Sequence, residues 1–86
     1  MIPKIQDIEA LNDYILKVAF TDGKEVLYDV KDDIKTLPGY DSLKTINGLW
    51  QQVKVDKSKT CVFWNDFIDL ASDSIYEYGT PINKEY

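Results

Sequence analysis

The single cysteine of the chain, Cys61, is the first candidate for chemistry, and it is followed by Val62, Phe63 and Trp64. A catalytic thiol needs a neighbouring base, and the sequence contains no histidine. The lack of histidine also removes the Ser–His pair and the commonest metal ligand. We therefore predict a buried, unreactive thiol, no catalytic residues and no enzymatic activity.

Two groups of aspartates could act as acid–base pairs or hold a hard cation. These groups are Asp29, Asp32 and Asp33, and then Asp66, Asp69 and Asp73. Neither has the spacing of an EF-hand loop, and paired carboxylates of the glycosidase type need a cleft that a small chain rarely encloses. We expect structural roles at turns and caps and predict no metal and no cofactor, with a cation at the second group left open.

Trp50, Gln52 and Lys54 alternate along the segment 49–56 and carry the prediction of a binding surface. If the segment is a strand with an open outer face, Trp50 is an exposed aromatic anchor of the kind that interfaces favour. In the alternative, Trp50 packs beneath the connector formed by residues 31–48. The sequence leaves both arrangements open.

The charge balance restricts the partners. The chain has 15 acidic residues, 10 lysines and no arginine, for a net charge of −5. Arginine grips phosphates and guanine edges, and a basic footprint is typical of nucleic-acid binding, so nucleic acid and anionic membranes are disfavoured. An acidic domain attracts a basic protein partner, although the charge could serve solubility alone. Aromatic residues interleaved with lysines, such as Tyr28 and Lys17, could stack single-stranded bases on a sheet face. An accessory nucleic-acid-binding domain is therefore the alternative function.

With 86 residues, the chain is long enough for one domain. We expect a single domain over residues 1–86, ordered from about residue 3 to residue 79, with residues 80–86 as a frayed tail. The N-terminus lacks the apolar segment of a signal peptide, and no apolar run could cross a bilayer. A cytoplasmic location is the resulting expectation, and a homo-oligomer is compatible with the sequence.

Period-two alternation predicts the strands, which are residues 4–10, 14–20, 25–30, 49–56 and 60–64. The Asp22-Gly23 pair between the second and third strands predicts a type I′ hairpin with positive φ at both residues. Alternation places Val62 and Trp64 on one face of the last strand, opposite Cys61 and Phe63. In the second strand, one face carries Tyr14, Leu16, Val18 and Phe20, and the other, only partly open to solvent, carries Ile15, Lys17 and Ala19. The first thirty residues are thus expected to form an antiparallel meander.

The segment 31–48 breaks this pattern and is predicted to be an irregular connector with at most two helical turns. Its Leu37, Leu43 and Ile46 are expected to plug one end of the sheet. Near the C-terminus, Ser72 is predicted to cap a short helix that Gly79 ends. The predicted fold class is α+β: a small antiparallel meander of about five strands, one short C-terminal helix and an irregular central connector.

Three segments, in their order and spacing, resemble a known family: YILKVAFTDGKEVLYDV, WQQVKVD and TCVFWNDFIDLASDSIYE. The chain is similar to the small bacterial domain of unknown function 2442 over residues 3–78. The sequence departs from that pattern at Asn65-Asp66-Phe67, where Pro-Asn-Gly is usual, and at Trp50, where phenylalanine is common.

This resemblance implies a compact α+β domain without an assigned enzymatic activity. Relatives occur alone, before a helix-turn-helix, or encoded beside another small protein in arrangements like toxin–antitoxin pairs. We expect no helix-turn-helix here, so direct DNA binding is not inherited. The leading hypothesis is a non-catalytic cytoplasmic protein-binding module, such as the antitoxin-like partner of a small basic protein.

Overall fold

A computed structural model describes residues 2–82 of the chain. The first sheet is built from strands whose alternate residues are apolar, because one face packs on the core while the other meets solvent. Its antiparallel strands, in the spatial order β1-β2-β3-β7, are β1 Ile5–Ala10, β2 Ile15–Phe20, β3 Glu25–Asp29 and β7 Thr80–Pro81. Leu16, Val18 and Phe20 of β2 are fully buried, as the alternation predicts.

A second, three-stranded antiparallel sheet follows the connector. Its strands are β4 Lys54–Val55, β5 Cys61–Asn65 and β6 Ile68–Ala71, paired in that order. Val62 and Trp64 face the core and are buried, whereas Cys61 and Phe63 are half-buried. The predicted facing of this strand is therefore confirmed.

Three short helices complete the fold: α1 Lys31–Thr36, α2 Ser42–Thr45 and α3 Ser72–Tyr78. Single 3₁₀ turns occur at Asn12–Tyr14 and Trp50–Gln52. The core lies among the inner faces of the two sheets and the helices, and its largest fully buried side chains include Phe20, Ile68 and Ile75. The α+β class is confirmed, with seven described strands in two sheets where one meander of about five was predicted.

The hairpin between β2 and β3 has a different turn from the predicted type I′. In this loop only Gly23 has positive φ, at +96°, and its N–H donates to the Phe20 carbonyl over 3.0 Å. The Phe20 N–H in turn donates to the Lys24 carbonyl over 2.8 Å, which closes a loop of three residues. Three-residue hairpin loops place a glycine in the left-handed region at their last position, so Asp22 needs no positive φ.

The connector is helical only in short pieces, as predicted, but two of its three proposed core residues are wrong. Leu43 is buried, whereas Leu37 and Ile46 are exposed. Each exposed residue is the extended C-cap that follows a short helix, where the chain turns away from the core. Ile34 and Tyr40 fill the space instead.

The predicted strand 49–56 is mostly wrong, because only Lys54–Val55 pairs in a sheet. Residues Trp50–Gln52 form a 3₁₀ turn that follows Gly48, whose φ is +83°. The carbonyl of Trp50 accepts a hydrogen bond from the Trp64 indole N–H over 3.0 Å. This contact holds Trp50 in the turn.

Ser72 begins α3, but its side chain does not cap the helix. Its hydroxyl donates to the Pro3 carbonyl over 2.7 Å, and its N–H donates to the Thr60 carbonyl over 2.8 Å. Ser72 is fully buried, so both polar groups are satisfied by distant backbone. The helix otherwise agrees with the prediction, since Asp73 lies in its first turn and Gly79 follows its end.

Residues 80–82, which lie within the expected frayed tail, continue the chain along the first sheet. Thr80–Pro81 pairs with Val26 and Leu27 of β3, and the Ile82 N–H donates to the Glu25 carbonyl over 2.9 Å. The rest of the predicted tail, residues 83–86, lies outside the described residues. Pairing with β3 places this short strand at the edge of the first sheet.

Candidate functional site

Trp50 is not the exposed anchor that alternation suggested, because only 5% of its surface is exposed. Its indole N–H donates to the Leu11 carbonyl over 2.9 Å. Its ring stacks on Trp64, with centroids 5.6 Å apart and an interplanar angle of 20°. The 3₁₀ turn directs the ring inward, so Trp50 serves packing.

Gln52 and Lys54 are exposed, but they do not share a strand face with Trp50. Gln52 ends the 3₁₀ turn, and Lys54 lies in β4 opposite Phe63 of β5. The structure therefore separates the three residues of the predicted surface. A binding role for Gln52 and Lys54 stays a prediction.

A groove of about 290 Å³ lies beside Trp50, between residues 11–14 and residues 43–51. The Tyr14 ring forms one wall and meets Trp50 edge-on, with centroids 5.4 Å apart. The Lys44 ammonium lies 5.7 Å from the Tyr14 ring centroid. The groove therefore offers a ligand an aromatic wall and the cation of Lys44. The Trp50 indole N–H is not available to a ligand, because it already donates to the Leu11 carbonyl.

The backbone beside this groove is strained. Asp13 and Tyr14 both have positive φ, at 65° and 59°, a conformation that side chains with a Cβ rarely adopt. The Lys31 ammonium donates to the Asp13 carbonyl over 3.0 Å and helps to hold this conformation. The strain places Tyr14 at the start of β2, against Trp50.

Burial raises the pKa of the cysteine thiol and of a tyrosine in the described chain, away from neutrality. Burial, followed by the nearby charges of Asp56 and Asp69, raises the pKa of the half-buried Cys61 thiol. Burial also raises the pKa of Tyr28, and its hydroxyl donates to Asp33 over 2.9 Å. At neutral pH these groups stay protonated, which disfavours nucleophilic chemistry.

The first aspartate group is engaged in local structure. Asp29 forms an ion pair with Lys31 over 3.4 Å and accepts its N–H, while Asp33 accepts the Tyr28 hydroxyl. Within residues 2–82, no three His, Cys, Asp or Glu side chains are placed to hold a metal ion together. The Asp29, Asp32 and Asp33 group is best understood as turn and helix structure.

The second aspartate group is likewise spread over β6 and α3. The Asp69 carbonyl accepts a hydrogen bond from the Tyr40 hydroxyl, and the Asp73 carboxylate accepts the Ser74 N–H over 2.8 Å. Asp66 lies exposed in the loop between β5 and β6. The three residues therefore lie in different elements: Asp66 in the loop, Asp69 in β6 and Asp73 in α3.

A contact between the β2–β3 loop and α3 escaped the sequence analysis. The Tyr76 hydroxyl donates to the Asp22 carboxylate over 2.7 Å, and the Lys24 ammonium lies 4.0 Å above the Tyr76 ring. The Lys24 N–H and the Tyr76 hydroxyl both donate to Asp22, which lowers the pKa of that carboxyl. Asp22 was predicted to serve the turn alone, but it also anchors the loop to α3.

The outer face of the first sheet is the most distinctive open surface of the described chain. It alternates with the buried face and combines apolar residues around Lys17 with acidic residues on the neighbouring strands. We call it the acidic sheet face; its residues are Asp7 and Glu9 of β1, Ile15, Lys17 and Ala19 of β2, and Glu25, Leu27 and Asp29 of β3. Four carboxylates thus accompany a single lysine on this face.

The strand register fixes how these side chains meet. Lys17 pairs with Glu9 on one side and with Leu27 on the other, while Ala19 lies between Asp7 and Glu25. A shallow depression of about 130 Å³ opens over Lys17 and Ala19. Sequence alternation indicated the open side of β2, but the neighbours across the strands required the register.

Comparison with known proteins gives one family. The family model described as "Protein of unknown function (DUF2442)" matches residues 5–81, which is most of the chain and includes both sheets. No curated protein and no solved structure gives a match. Among residues 2–82, none of the helices has the length and apolar character needed to span a bilayer.

Proposed function

The chain belongs to the family described as Protein of unknown function (DUF2442). We propose that it is a non-catalytic cytoplasmic protein-binding module for a basic partner. Its specific form would be the antitoxin-like partner of a small basic protein. The acidic sheet face is the surface that we assign to this role.

The observation that carries the proposal is the composition of that face. Half-buried Ile15, Ala19 and Leu27 are the apolar neighbours of Lys17 on this face, and exposed Asp7 and Glu9 lie along the β1 edge. Interfaces commonly have an apolar centre and a polar rim, and complementary charge speeds the encounter with the partner. A rim of carboxylates selects a partner rich in lysine and arginine.

The net charge of −5 supports the same partner chemistry. At long range it attracts basic proteins and repels nucleic acid, and this attraction weakens as salt is added. The protonated Cys61 thiol, whose pKa is raised by burial, supports a binding role in preference to catalysis.

The test compares two variants with the same loss of charge. Asp7→Asn with Glu9→Gln removes two of the four carboxylate charges of the acidic sheet face, and the asparagine side chain keeps an oxygen to accept the Ile8 N–H, as the Asp7 carboxylate does. Asp41→Asn with Glu77→Gln neutralises two exposed carboxylates elsewhere and serves as the control. Tagged wild-type chain captures proteins from the host, and the captured protein is identified, purified and titrated by calorimetry.

We expect a partner of net positive charge whose Kd weakens by about tenfold or more in the face variant, and with rising salt. The control variant should bind like the wild type. Failure to recover any partner, or equal loss of affinity in both variants, would contradict the proposal. Micromolar binding to an oligonucleotide, measured by fluorescence anisotropy, would favour the alternative nucleic-acid function instead.

A further inference from the structure

Phe67 is an apolar side chain held out in solvent by an ordered loop. It lies between β5 and β6, and 88% of its surface is exposed. The Asn65 side-chain oxygen accepts the N–H groups of Phe67 and Ile68, over 2.8 and 3.0 Å. The backbone beneath the ring is therefore fixed, although the ring itself is exposed.

The residues on both sides of this loop are anchored in the core. Trp64 is buried on one side, and Ile68 is 1% exposed on the other. Because hydrogen bonds already fix the backbone beneath Phe67, burial of the ring by a partner costs side-chain entropy alone, and buried aromatics often dominate binding energy. Phe67 meets the structural requirements of an anchor.

The charge around the ring indicates what kind of pocket would receive it. Asp66 and Asp69 flank Phe67 and are both exposed. The segment 65–71, Asn-Asp-Phe-Ile-Asp-Leu-Ala, contains no lysine or arginine. The receiving pocket is therefore expected to be apolar inside and to carry lysine or arginine at its rim, because these cations complement the two exposed carboxylates.

We propose that Phe67 is the aromatic anchor of this chain and inserts into an apolar, lysine- or arginine-rimmed pocket of a basic protein partner. The inference rests on the proposed function and deepens it by naming a second contact. Phe67 belongs to the loop of the second sheet, whereas the acidic sheet face belongs to the first. Each contact is therefore open to a separate test.

The experiment places a photoreactive benzophenone side chain at position 67 of the full chain in its host cell. The same group at Tyr78, which is 73% exposed, provides a matched control at another exposed aromatic. Irradiated products are identified by mass spectrometry, and the crosslinked protein is purified and titrated with wild-type chain, Phe67→Ser and Tyr78→Ser.

We expect position 67 to crosslink to a protein of net positive charge, and Phe67→Ser to weaken its Kd by about thirtyfold or more. Tyr78→Ser should leave the Kd unchanged. Crosslinking to a second copy of this chain, to an acidic protein or to nothing would overturn the proposal, as would an unchanged Kd in Phe67→Ser.

The two proposals fail in different ways. If Asp7→Asn with Glu9→Gln abolishes binding while Phe67→Ser binds like the wild type, the anchor is wrong and the proposed function stands. If neither capture nor crosslinking recovers a basic protein, both are wrong.

Discussion

Replacing Gly79 by alanine should destabilise the fold, although the backbone at this position suits any residue. Gly79 is buried after α3 with a φ of −68°, so alanine would meet no backbone strain. A Cβ atom there would lie 2.7 Å from Val26 Cγ2, 2.9 Å from Val26 Cβ and 2.7 Å from the Ile75 carbonyl oxygen. The obstacle is therefore packing alone.

The magnitude follows from the overlap. Carbon atoms in contact normally lie about 3.5–4.0 Å apart, so the new methyl would penetrate Val26 by close to 1 Å. Val26 is fully buried in the centre of the first sheet and has little room to move. Overpacking of this kind costs about 1–3 kcal/mol, which outweighs the roughly 0.4–1 kcal/mol that Gly→Ala gains from a less flexible unfolded chain.

Urea unfolding followed by tryptophan fluorescence measures the effect. We expect Gly79→Ala to lower the free energy of unfolding by roughly 0.5–2.5 kcal/mol, which is the overpacking cost less the gain from a less flexible unfolded chain. The cost should shrink in a Val26→Ala background, because that change removes Cγ2, and the double-mutant cycle reports this coupling. An unchanged or higher stability for Gly79→Ala, or perfect additivity with Val26→Ala, would refute the close approach of α3 to β3.

Three further perturbations test the packing and the electrostatics. Trp64→Ala should lower the free energy of unfolding by about 3–5 kcal/mol, because it removes a buried ring, and a loss below about 1 kcal/mol would contradict its core position. Ser72→Ala should cost about 1–3 kcal/mol in the same assay, since the Pro3 carbonyl loses its buried donor; an unchanged midpoint would mean that water replaces the hydroxyl. The lowered pKa of Asp22 stabilises the fold above the ordinary value of 3.8, and this contribution disappears as the pH falls below that value. Asp22→Asn should therefore flatten the acid side of the stability profile below about pH 4, and Tyr76→Phe should do so in part; unaltered profiles would contradict the Asp22–Tyr76 hydrogen bond.

Alternation of apolar and polar residues was enough to predict the strands that bury every second residue in a sheet. The faces of β2 and β5 were predictable because each buries every second residue against the core. The segment 49–56 alternates as well, yet most of it leaves the sheet. Its conformation depends on hydrogen bonds between Trp50 and Trp64, 14 residues apart, and between Trp50 and Leu11, 39 residues apart. No local pattern encodes such contacts.

The same limit applies to the surfaces. Ser72 has the sequence context of a helix cap, but its hydroxyl is taken by Pro3, 69 residues away. The half-open side of β2 was visible in the alternation, whereas the carboxylates of β1 and β3 join it only through the register of the sheet. Phe67 was also not predicted to be exposed. It lies in the turn between β5 and β6, where the Asn65 side chain accepts its N–H. Which residues are neighbours across a sheet depends on the tertiary structure, so the acidic sheet face could be predicted only in part from the sequence.

The central claim is that the acidic sheet face binds a basic protein, and chemical-shift mapping tests it most directly. The isotope-labelled chain is titrated with the purified basic protein recovered by capture, and the amide signals are followed by NMR. We expect the largest shifts on Lys17, Ala19 and Leu27, and on Phe67 if it enters the partner's pocket, with little change in α2. Shifts confined to the groove beside Trp50, or no saturable shifts on the outer face of the first sheet, would contradict it.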